Sequence, residues 1–524
     1  MNWLLILLSF LPFVLLLFLI VWRRWPALYA MPLVWIITAI SLFYIWELNI
    51  IWISASFIKG TLLSLEIMLI IFGAVWLIEI LKVKGQIKYF QSLLSFISDD
   101  ARVQVLIIAW LFGSLIEGVA GFGTPAALTA PLLVSLGFTP FLSVVLALIA
   151  NSTAVSFGAA GTPVLLGLGG LGLERNFLEQ LSTNIALIHL IASIIIPLAL
   201  VYFIVSFKSE KNKFNDLSPA IPFALFAWLA FTVPYFLTAK YIGPELPSII
   251  GGITGLIIVS LAAHFKFLTP KKIISFSKHK KHKYPLKQIS LALLPYFLIV
   301  ILLTLSRTIP TITKYISNIS LSLNSILGVN LSYKFLPLFT PSFYLILTGI
   351  ICIFIFKADK KEVSSTLKQT FSRVKYPTLA LIFAVALVQL LLVSGNGNSN
   401  LQSMPLILAG FFADTFKNYF VLASPFVGMF GSFLAGSNTV SNLLFGTFQL
   451  ETAKNLGMSV IIILSLQVVG GAVGNMIAIH NVLAAEATVN LRGAEGKIIR
   501  KTIGVAILYA LIAGIVGWIL TNVI

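Results

Sequence analysis

Charged side chains are scarce in this sequence. Of its 524 residues only 10% are Asp, Glu, Lys or Arg, whereas 59% are hydrophobic and the mean hydropathy is +1.03. Because soluble domains carry about 25% charged residues, the composition excludes a soluble globular protein. The single cysteine, Cys352, excludes an internal disulfide bond and a cysteine-based metal cluster. Its apolar neighbours predict an inert packing residue.

Acidic residues are rarer than basic ones, 17 against 35, so the net charge is +18. The basic residues lie in short connectors between apolar stretches, a pattern that sets membrane topology and does not favour nucleic-acid binding. No DxxD pair and no His/Glu cluster lies inside the apolar stretches, so we expect neither a metal-dependent membrane enzyme nor a metal or cofactor. The sequence contains no motif typical of a channel's selectivity filter, so a channel is not favoured.

Apolar runs of about 20 residues recur along the chain, and each could cross a ~30 Å hydrocarbon core. We predict an all-α polytopic protein of the cell membrane with about 12–14 transmembrane helices, some broken or re-entrant. The run at residues 2–22 lacks the basic start and cleavage site of a signal peptide and is predicted to be retained. The predicted segments lie near residues 3–22, 27–47, 60–81, 102–117, 140–157, 183–206, 217–238, 245–265, 288–306, 341–357, 376–393, 420–435, 457–478 and 502–522, with shorter pieces near 124–137 and 439–450.

The basic connectors predict the orientation. The most basic one, residues 266–287, is assigned to the cytoplasm. The other Lys/Arg clusters also lie in the cytoplasm if regions 102–170 and 405–490 each cross the membrane an odd number of times. Both termini then lie outside. Each region then contains a half-helix or hairpin, and Gly, Pro, Ser and Asn interrupt both.

The two interrupted regions also resemble each other. FGSLIEG at 112–118 matches FGSFLAG at 430–436, and another Gly-rich break follows each about 40 residues later. The loop charges give the two copies opposite orientations, as in an inverted-topology repeat. We therefore predict two inverted halves, 1–265 and 288–524, joined by the basic cytoplasmic loop 266–287.

Glu117 is the one charged residue between Val103 and Leu173. An acid inside a membrane usually faces a cavity or pathway, and broken helix is tolerated there only where it lines water or is buried in protein. Glu117 is therefore a candidate proton carrier, since burial brings proton exchange by a carboxyl group toward neutral pH. His480 is a second candidate. For both, a structural role is the alternative.

Other ionisable residues have simpler interpretations. Glu79 is predicted to pair with Lys82 at the interface, and His189 is predicted to be a packed helix residue. A functional role for Glu66 stays open.

Four polar phrases supply hydroxyls, amides and glycines without Lys or Arg: 117–125, 151–163, 436–442 and 470–481. Helix N-termini present free N–H groups and a positive dipole end, so such breaks can hold a carboxylate without a cationic side chain. Helix packing through small residues is the alternative. The predicted substrate-binding residues are Gly121, Gly123, Thr124, Ser152, Thr153, Ser156, Gly161, Thr162, Ser437, Asn438, Thr439, Ser441, Asn442, Asn475 and Asn481.

These phrases resemble the lactate permease family. WLFGSLIEGVAGFGTPAALTAPLLVSLGF at 110–138 is similar to that family's most characteristic stretch, and NSTAVSFGAAGTP follows at 151–163. AGSNTVSNLLFG at 435–446 and the stretch 470–502 resemble its C-terminal motifs. The resemblance covers the whole chain length. Asn438 stands where some members carry Asp, which leaves the coupling stoichiometry open.

The resemblance implies uptake of L-lactate, and with it D-lactate and glycolate, coupled to protons. It also implies the architecture of carboxylate transporters with inverted repeats and hairpins, several of which are homodimers; the dimer is an analogy. The alternative within this class is a symporter of another small anion, with Na⁺ as the coupling ion, because unwound backbone carbonyls and Ser/Asn groups could coordinate Na⁺.

Overall fold

The computed structural model describes residues 3–23, 25–86, 89, 97–121, 123–165, 167–168, 171, 173–208, 213–276 and 285–523. Within these ranges the chain is mainly helical, and eight helices are long and apolar enough to cross a membrane. The last helix has an exposed apolar face: Ile507, Leu511 and Ile515 are exposed on one side, whereas Tyr509 and Ala513 are buried on the other. The predicted all-α polytopic membrane protein is confirmed.

Helix boundaries follow the Pro, Gly and capping residues of the sequence. Up to residue 264 the helices are α1 (Trp3–Leu16), α2 (Ala27–Ile45), α3 (Ile50–Val83), α4 (Ala101–Val105), α5 (Gly113–Ala120), α6 (Thr124–Ser135), α7 (Pro140–Ala150), α8 (Gly158–Leu165), α9 (Arg175–Ala192), α10 (Ile195–Lys208), α11 (Lys213–Leu217), α12 (Ile221–Tyr241) and α13 (Pro247–His264). Two π-helical stretches, Leu17–Trp22 and Leu106–Phe112, extend α1 and join α4 to α5.

The second part of the chain contains a small sheet as well as helices. Its helices are α14 (Leu286–Thr308), α15 (Pro310–Asn318), α16 (Pro341–Ile355), α17 (Lys360–Leu392), α18 (Met404–Phe416), α19 (Phe420–Ala435), α20 (Asn438–Asn455), α21 (Val460–Gly474), α22 (Ile479–Thr488) and α23 (Glu495–Val523). Between α15 and α16, strands β1 (Leu321–Leu323) and β2 (Tyr333–Phe335) pair antiparallel.

The two long helices α3 and α17 pack against each other. A Cβ atom on Gly60 would come within 3.0 Å of the Ala386 backbone, so glycine permits the close approach. The Ser64 hydroxyl donates to the Leu381 carbonyl at 3.2 Å across the same contact. This pair borders the broken helices, because α22 packs on both α3 and α17.

The structure corrects several predicted segments. Helix α17 begins at Lys360, well before the apolar segment predicted at 376–393, because Asp359 and Glu362 form a capping box inside basic sequence. Segment 183–206 consists of α9 and α10, separated at Ser193 and Ile194. Helices α18 and α22 were not predicted, since 13 and 10 residues fall below the length expected of a full crossing. The β1–β2 hairpin was not predicted either.

Three smaller predictions can be compared with the structure. Glu79 forms the expected ion pair with Lys82 at 3.2 Å, and Cys352 is buried. The basic run 278–283 lies outside the described residues, so its cytoplasmic position stays a prediction.

Both interrupted regions contain broken helices. In the first, α5 and α6 are separated by residues 121–123, and α7 and α8 by residues 151–157. In the second, α19 and α20 are separated by residues 436–437, and α21 and α22 by residues 475–478. Each region thus contains two helix pairs separated by a break, in the same order along the chain, and the inverted orientation of the two regions stays a prediction. The half boundaries at 265 and 288 stay a prediction.

Candidate functional site

A buried carboxyl group lies beside the first break. Glu117 lies on the last turn of α5 and is 2% exposed, and the Asn151 side chain lies near its carboxyl group. The N-terminus of α8 packs directly on this carboxyl group, since a Cβ atom on Gly158 would come within 3.0 Å of Glu117 Oε1. Glu117 Oε2 has no hydrogen-bond partner among the described residues.

The second break is formed around Gly436. This residue has φ of +65°, a left-handed conformation that ends α19. A Cβ atom there would also lie 2.8 Å from Nδ1 of His480, so both backbone and space favour glycine. Ser437 is the N-cap of α20, but its side chain makes no capping hydrogen bond. Its hydroxyl is therefore not used in capping that helix.

The two breaks face each other across a small cavity of about 20 Å³, which is room for about one water molecule. The N-terminal ends of α8 and α20 reach it, together with the C-terminal ends of α5 and α21. None of the described residues that line the cavity is a Lys or Arg. The lining residues are Glu117, Gly121, Val155, Gly158, Ala159, Thr162, Pro163, Gly436, Ser437, Asn438, Thr439 and Asn475. We call this space the inner cavity.

A larger cavity of about 300 Å³ adjoins the inner cavity and shares Thr162, Gly436 and Ser437 with it. It lies between α3, α17, α22, strand β2 and the segment that follows β2, and His480 and Asn481 line it. We call it the vestibule.

The family follows from comparison with known proteins. A family model described as L-lactate permease matches residues 6–524, nearly the whole chain. The chain belongs to the L-lactate permease family. A relative from Haemophilus influenzae is 35% identical over 97% of both proteins.

Two further relatives carry different substrate names. A protein named glycolate permease from Escherichia coli is 30% identical over 85% of this chain and 83% of its own length. A protein named L-lactate permease from Bacillus subtilis is 28% identical, covering 83% and 81%. A solved structure, the YdaH transporter of Alcanivorax borkumensis, aligns with 87% of this chain and 84% of that chain at 12% identity and a TM-score of 0.31.

In this permease-family chain the predicted site residues fall into two groups. Those that line one or both cavities are Glu117, Gly121, Thr162, Ser437, Asn438, Thr439, Asn475, His480 and Asn481. Those that line neither are Gly123, Thr124, Ser152, Thr153, Ser156, Gly161, Ser441 and Asn442. The fold thus brings the breaks together, but some of their polar side chains do not line either cavity.

Several members of the second group make structural hydrogen bonds. Asn442 Nδ2 donates to the Pro163 carbonyl at 2.9 Å and so ties α20 to α8. Ser441 donates to the Gly428 carbonyl at 2.8 Å, and Ser152 donates to the Ile149 carbonyl at 2.9 Å. The position of Gly123 is also structural, since its φ is +75° and a Cβ atom there would lie 2.9 Å from Asn481 Oδ1.

Two buried hydrogen-bond networks were missed by sequence reasoning. Ser156 Oγ lies 2.7 Å from Nε2 of His189, whose Nδ1 lies 2.6 Å from the Tyr509 hydroxyl. Gln467 Nε2 donates to Ser441 Oγ at 3.1 Å and to Asn442 Oδ1 at 3.3 Å. His189 is packed as predicted. Its contact with Ser156 in the 151–157 break could not be predicted, because Ser156, His189 and Tyr509 are far apart in the sequence.

The inner cavity presents acceptors as well as helix N-termini. Asn438 Nδ2 donates to the Val468 carbonyl at 3.0 Å, so this amide is oriented and its Oδ1 remains unpartnered among the described residues. Asn475 Oδ1 and Glu117 Oε2 are also unpartnered there. No group of three or more His, Cys, Asp or Glu that could hold a metal occurs among the described residues. The cavity can therefore offer backbone donors to an anion and oxygen acceptors to a proton-bearing group.

Proposed function

We propose that this chain takes up L-lactate, together with D-lactate and glycolate, across the cell membrane in symport with protons. Relatives are named for L-lactate and for glycolate, and both molecules are small carboxylates with a hydroxyl on the adjacent carbon. The observation that carries the proposal is the inner cavity, where two helix N-termini and one buried carboxyl group meet without a cationic side chain.

The substrate carboxylate is placed at the N-terminus of α20. The N–H groups of the first helical turn have no partner within the helix, and the helix dipole favours a negative charge there. The N-terminus of α8 adds a second positive end at the same cavity. The hydroxyls of Ser437, Thr439 and Thr162 are the candidates to bind the substrate hydroxyl.

Glu117 is the proposed coupling residue. If it were ionised, its charge would repel a bound carboxylate. At a separation of about 5 Å and an effective dielectric constant of about 20, that repulsion is about 3 kcal/mol, or roughly 100-fold in affinity. A proton on Glu117 removes the repulsion, so proton and lactate each favour the binding of the other.

Transport requires the cavity to change size. A space of about 20 Å³ holds about one water molecule, which is too small for lactate. Movement of α8 away from α20 would enlarge it. In the structure the Asn442 hydrogen bond to the Pro163 carbonyl joins these two helices. The inner cavity is thus interpreted as a closed state of the substrate site.

Sodium is the alternative coupling ion, and one observation favours it. Asn438 Oδ1 is an oriented acceptor in the same cavity as Glu117 and the C-terminal ends of α5 and α21. Carbonyl oxygens at helix C-termini and such side chains are Na⁺ ligands in other transporters.

Purified protein in liposomes tests the proposal. We expect labelled lactate to enter by counterflow, and to accumulate uphill when a pH gradient is imposed but not when a Na⁺ gradient is imposed. Glu117→Gln should keep counterflow and lose pH-driven accumulation, because the amide mimics the protonated acid and cannot release a proton.

Glu451→Gln is the matched control, since Glu451 is an exposed acid paired with Lys454. It should accumulate lactate as the unmodified protein does. Absence of counterflow would refute lactate transport. Accumulation driven by Na⁺ alone, or normal pH-driven accumulation by Glu117→Gln, would refute proton coupling through this residue.

A further inference from the structure

The vestibule has mainly apolar walls, with Leu63, Ile70, Val385 and Val388 among its lining residues. Lys334 is the one lysine or arginine among the described residues that line it. The Lys334 side chain is exposed, and it forms no ion pair among the described residues. A charge beside low-dielectric walls focuses the electric field into a cavity and raises the local concentration of oppositely charged ligands.

The β1–β2 hairpin fixes Lys334 at this place. Lys334 lies on β2 opposite Ser322, and its neighbour Tyr333 donates a hydrogen bond to Glu66 Oε2 on α3 at 3.4 Å. Glu66 also lines the vestibule and is the one Asp or Glu among its described lining residues. Its carboxyl group accepts the hydrogen bond from the Tyr333 hydroxyl.

The position relative to the inner cavity indicates what Lys334 could do. The vestibule and the inner cavity share Ser437, the N-cap of α20. An anion attracted by Lys334 would therefore enter a space that also reaches the helix N-terminus proposed to receive the substrate carboxylate. The loop charges assign residues 309–340 to the outside, which would make the vestibule the side of uptake.

We propose that Lys334 forms an outer station that holds the carboxylate of a small monocarboxylate before it enters the inner cavity. Its ammonium group is a strongly hydrated point charge on a flexible stem, suited to attract a carboxylate and to release it. The final site contains backbone amides instead of a cation, so the substrate is not retained by a fixed ion pair. The role of Lys334 rests on the proposed transport of a carboxylate.

The test measures initial rates of labelled lactate uptake into intact cells of a host without lactate uptake of its own, at low and high salt. We expect Lys334→Gln to raise the KM about 3- to 10-fold at low salt with little change in maximal rate per molecule at the surface. Lys334→Arg should restore the KM. The difference should shrink at about 0.5 M salt, because salt screens an exposed charge.

Lys314→Gln is the matched control, because Lys314 is an exposed lysine on the same predicted side that does not line the vestibule. It should leave the KM within about twofold of the unmodified value. An unchanged KM in Lys334→Gln, or an equal rise in Lys314→Gln, overturns the outer station while lactate transport stands. If the unmodified chain takes up no lactate, the proposed function and the outer station both fail.

Discussion

Replacement of Gly158 tests the packing of α8 on Glu117. The backbone of Gly158 has φ −65° and ψ 155°, which alanine adopts without strain. The obstacle is space, because a Cβ atom there would come within 3.0 Å of Glu117 Oε1, and 3.3 Å from its Cδ. Glycine at this position is therefore explained by its contact with Glu117 and not by its conformation.

The expected magnitude follows from overpacking. Crowding a packed interior with a methyl group costs about 1–3 kcal/mol. With an unfolding entropy of about 2.1 cal/mol/K per residue, a chain of 524 residues should lose roughly 1–3 °C in melting temperature. Glu117→Ala removes the crowded carboxyl group, so Gly158→Ala should cost little in that background.

A double-mutant cycle measures this coupling. The melting temperatures of the purified unmodified protein, both single variants and the double variant are compared. Gly504→Ala is the control: Gly504 lies within α23, and a Cβ atom there meets nothing within 4 Å, so it should not lower the melting temperature in either background. The reasoning is refuted if Gly158→Ala lowers the melting temperature equally with and without the Glu117 side chain.

The remaining predictions separate residues that bind from residues that hold the breaks. Asn442→Ala should lower the free energy of unfolding by about 1–3 kcal/mol, because it leaves the buried Pro163 carbonyl without its Asn442 donor and removes one acceptor of the Gln467 amide; its lactate KM should change less than about threefold, and a large KM change with unaltered melting would contradict this. Ser437→Ala should weaken lactate uptake about 2- to 10-fold in apparent affinity, because its hydroxyl is proposed to bond the substrate hydroxyl and a neutral hydrogen bond contributes about 0.5–1.5 kcal/mol. Ser152→Ala should leave uptake unchanged, since that hydroxyl donates to Ile149 outside the cavities; the opposite ranking of the two serine variants would refute the placement of the site.

The sequence was informative about the breaks because their signals are local. Gly121 and Gly436 both take positive φ at the ends of helices, and such positions are marked by glycine next to small polar residues. A carboxyl group alone within a long apolar stretch likewise marked Glu117. These features predicted the inner cavity's main residues without knowledge of which helices meet.

Long-range packing decided what the sequence could not. The phrase 436–442 contains two Ser-Asn pairs of identical residue types, Ser437-Asn438 and Ser441-Asn442. The side chains of the second pair lie one helical turn further on and donate to the Gly428 and Pro163 carbonyls. Lys334 gave no signal, because its position depends on a hairpin that forms against α3. The sequence does not decide whether Glu66 has a functional role. In the structure Glu66 lines the vestibule together with Lys334.

The position of bound lactate would test the central claim most directly. A structure of the protein with lactate should place the carboxylate within hydrogen-bonding distance of backbone N–H groups at residues 437–439, with Glu117 in the same enlarged cavity and no Lys or Arg in contact. A lactate carboxylate held by an arginine or lysine within the enlarged inner cavity, or lactate bound only at a place remote from both breaks, would contradict it.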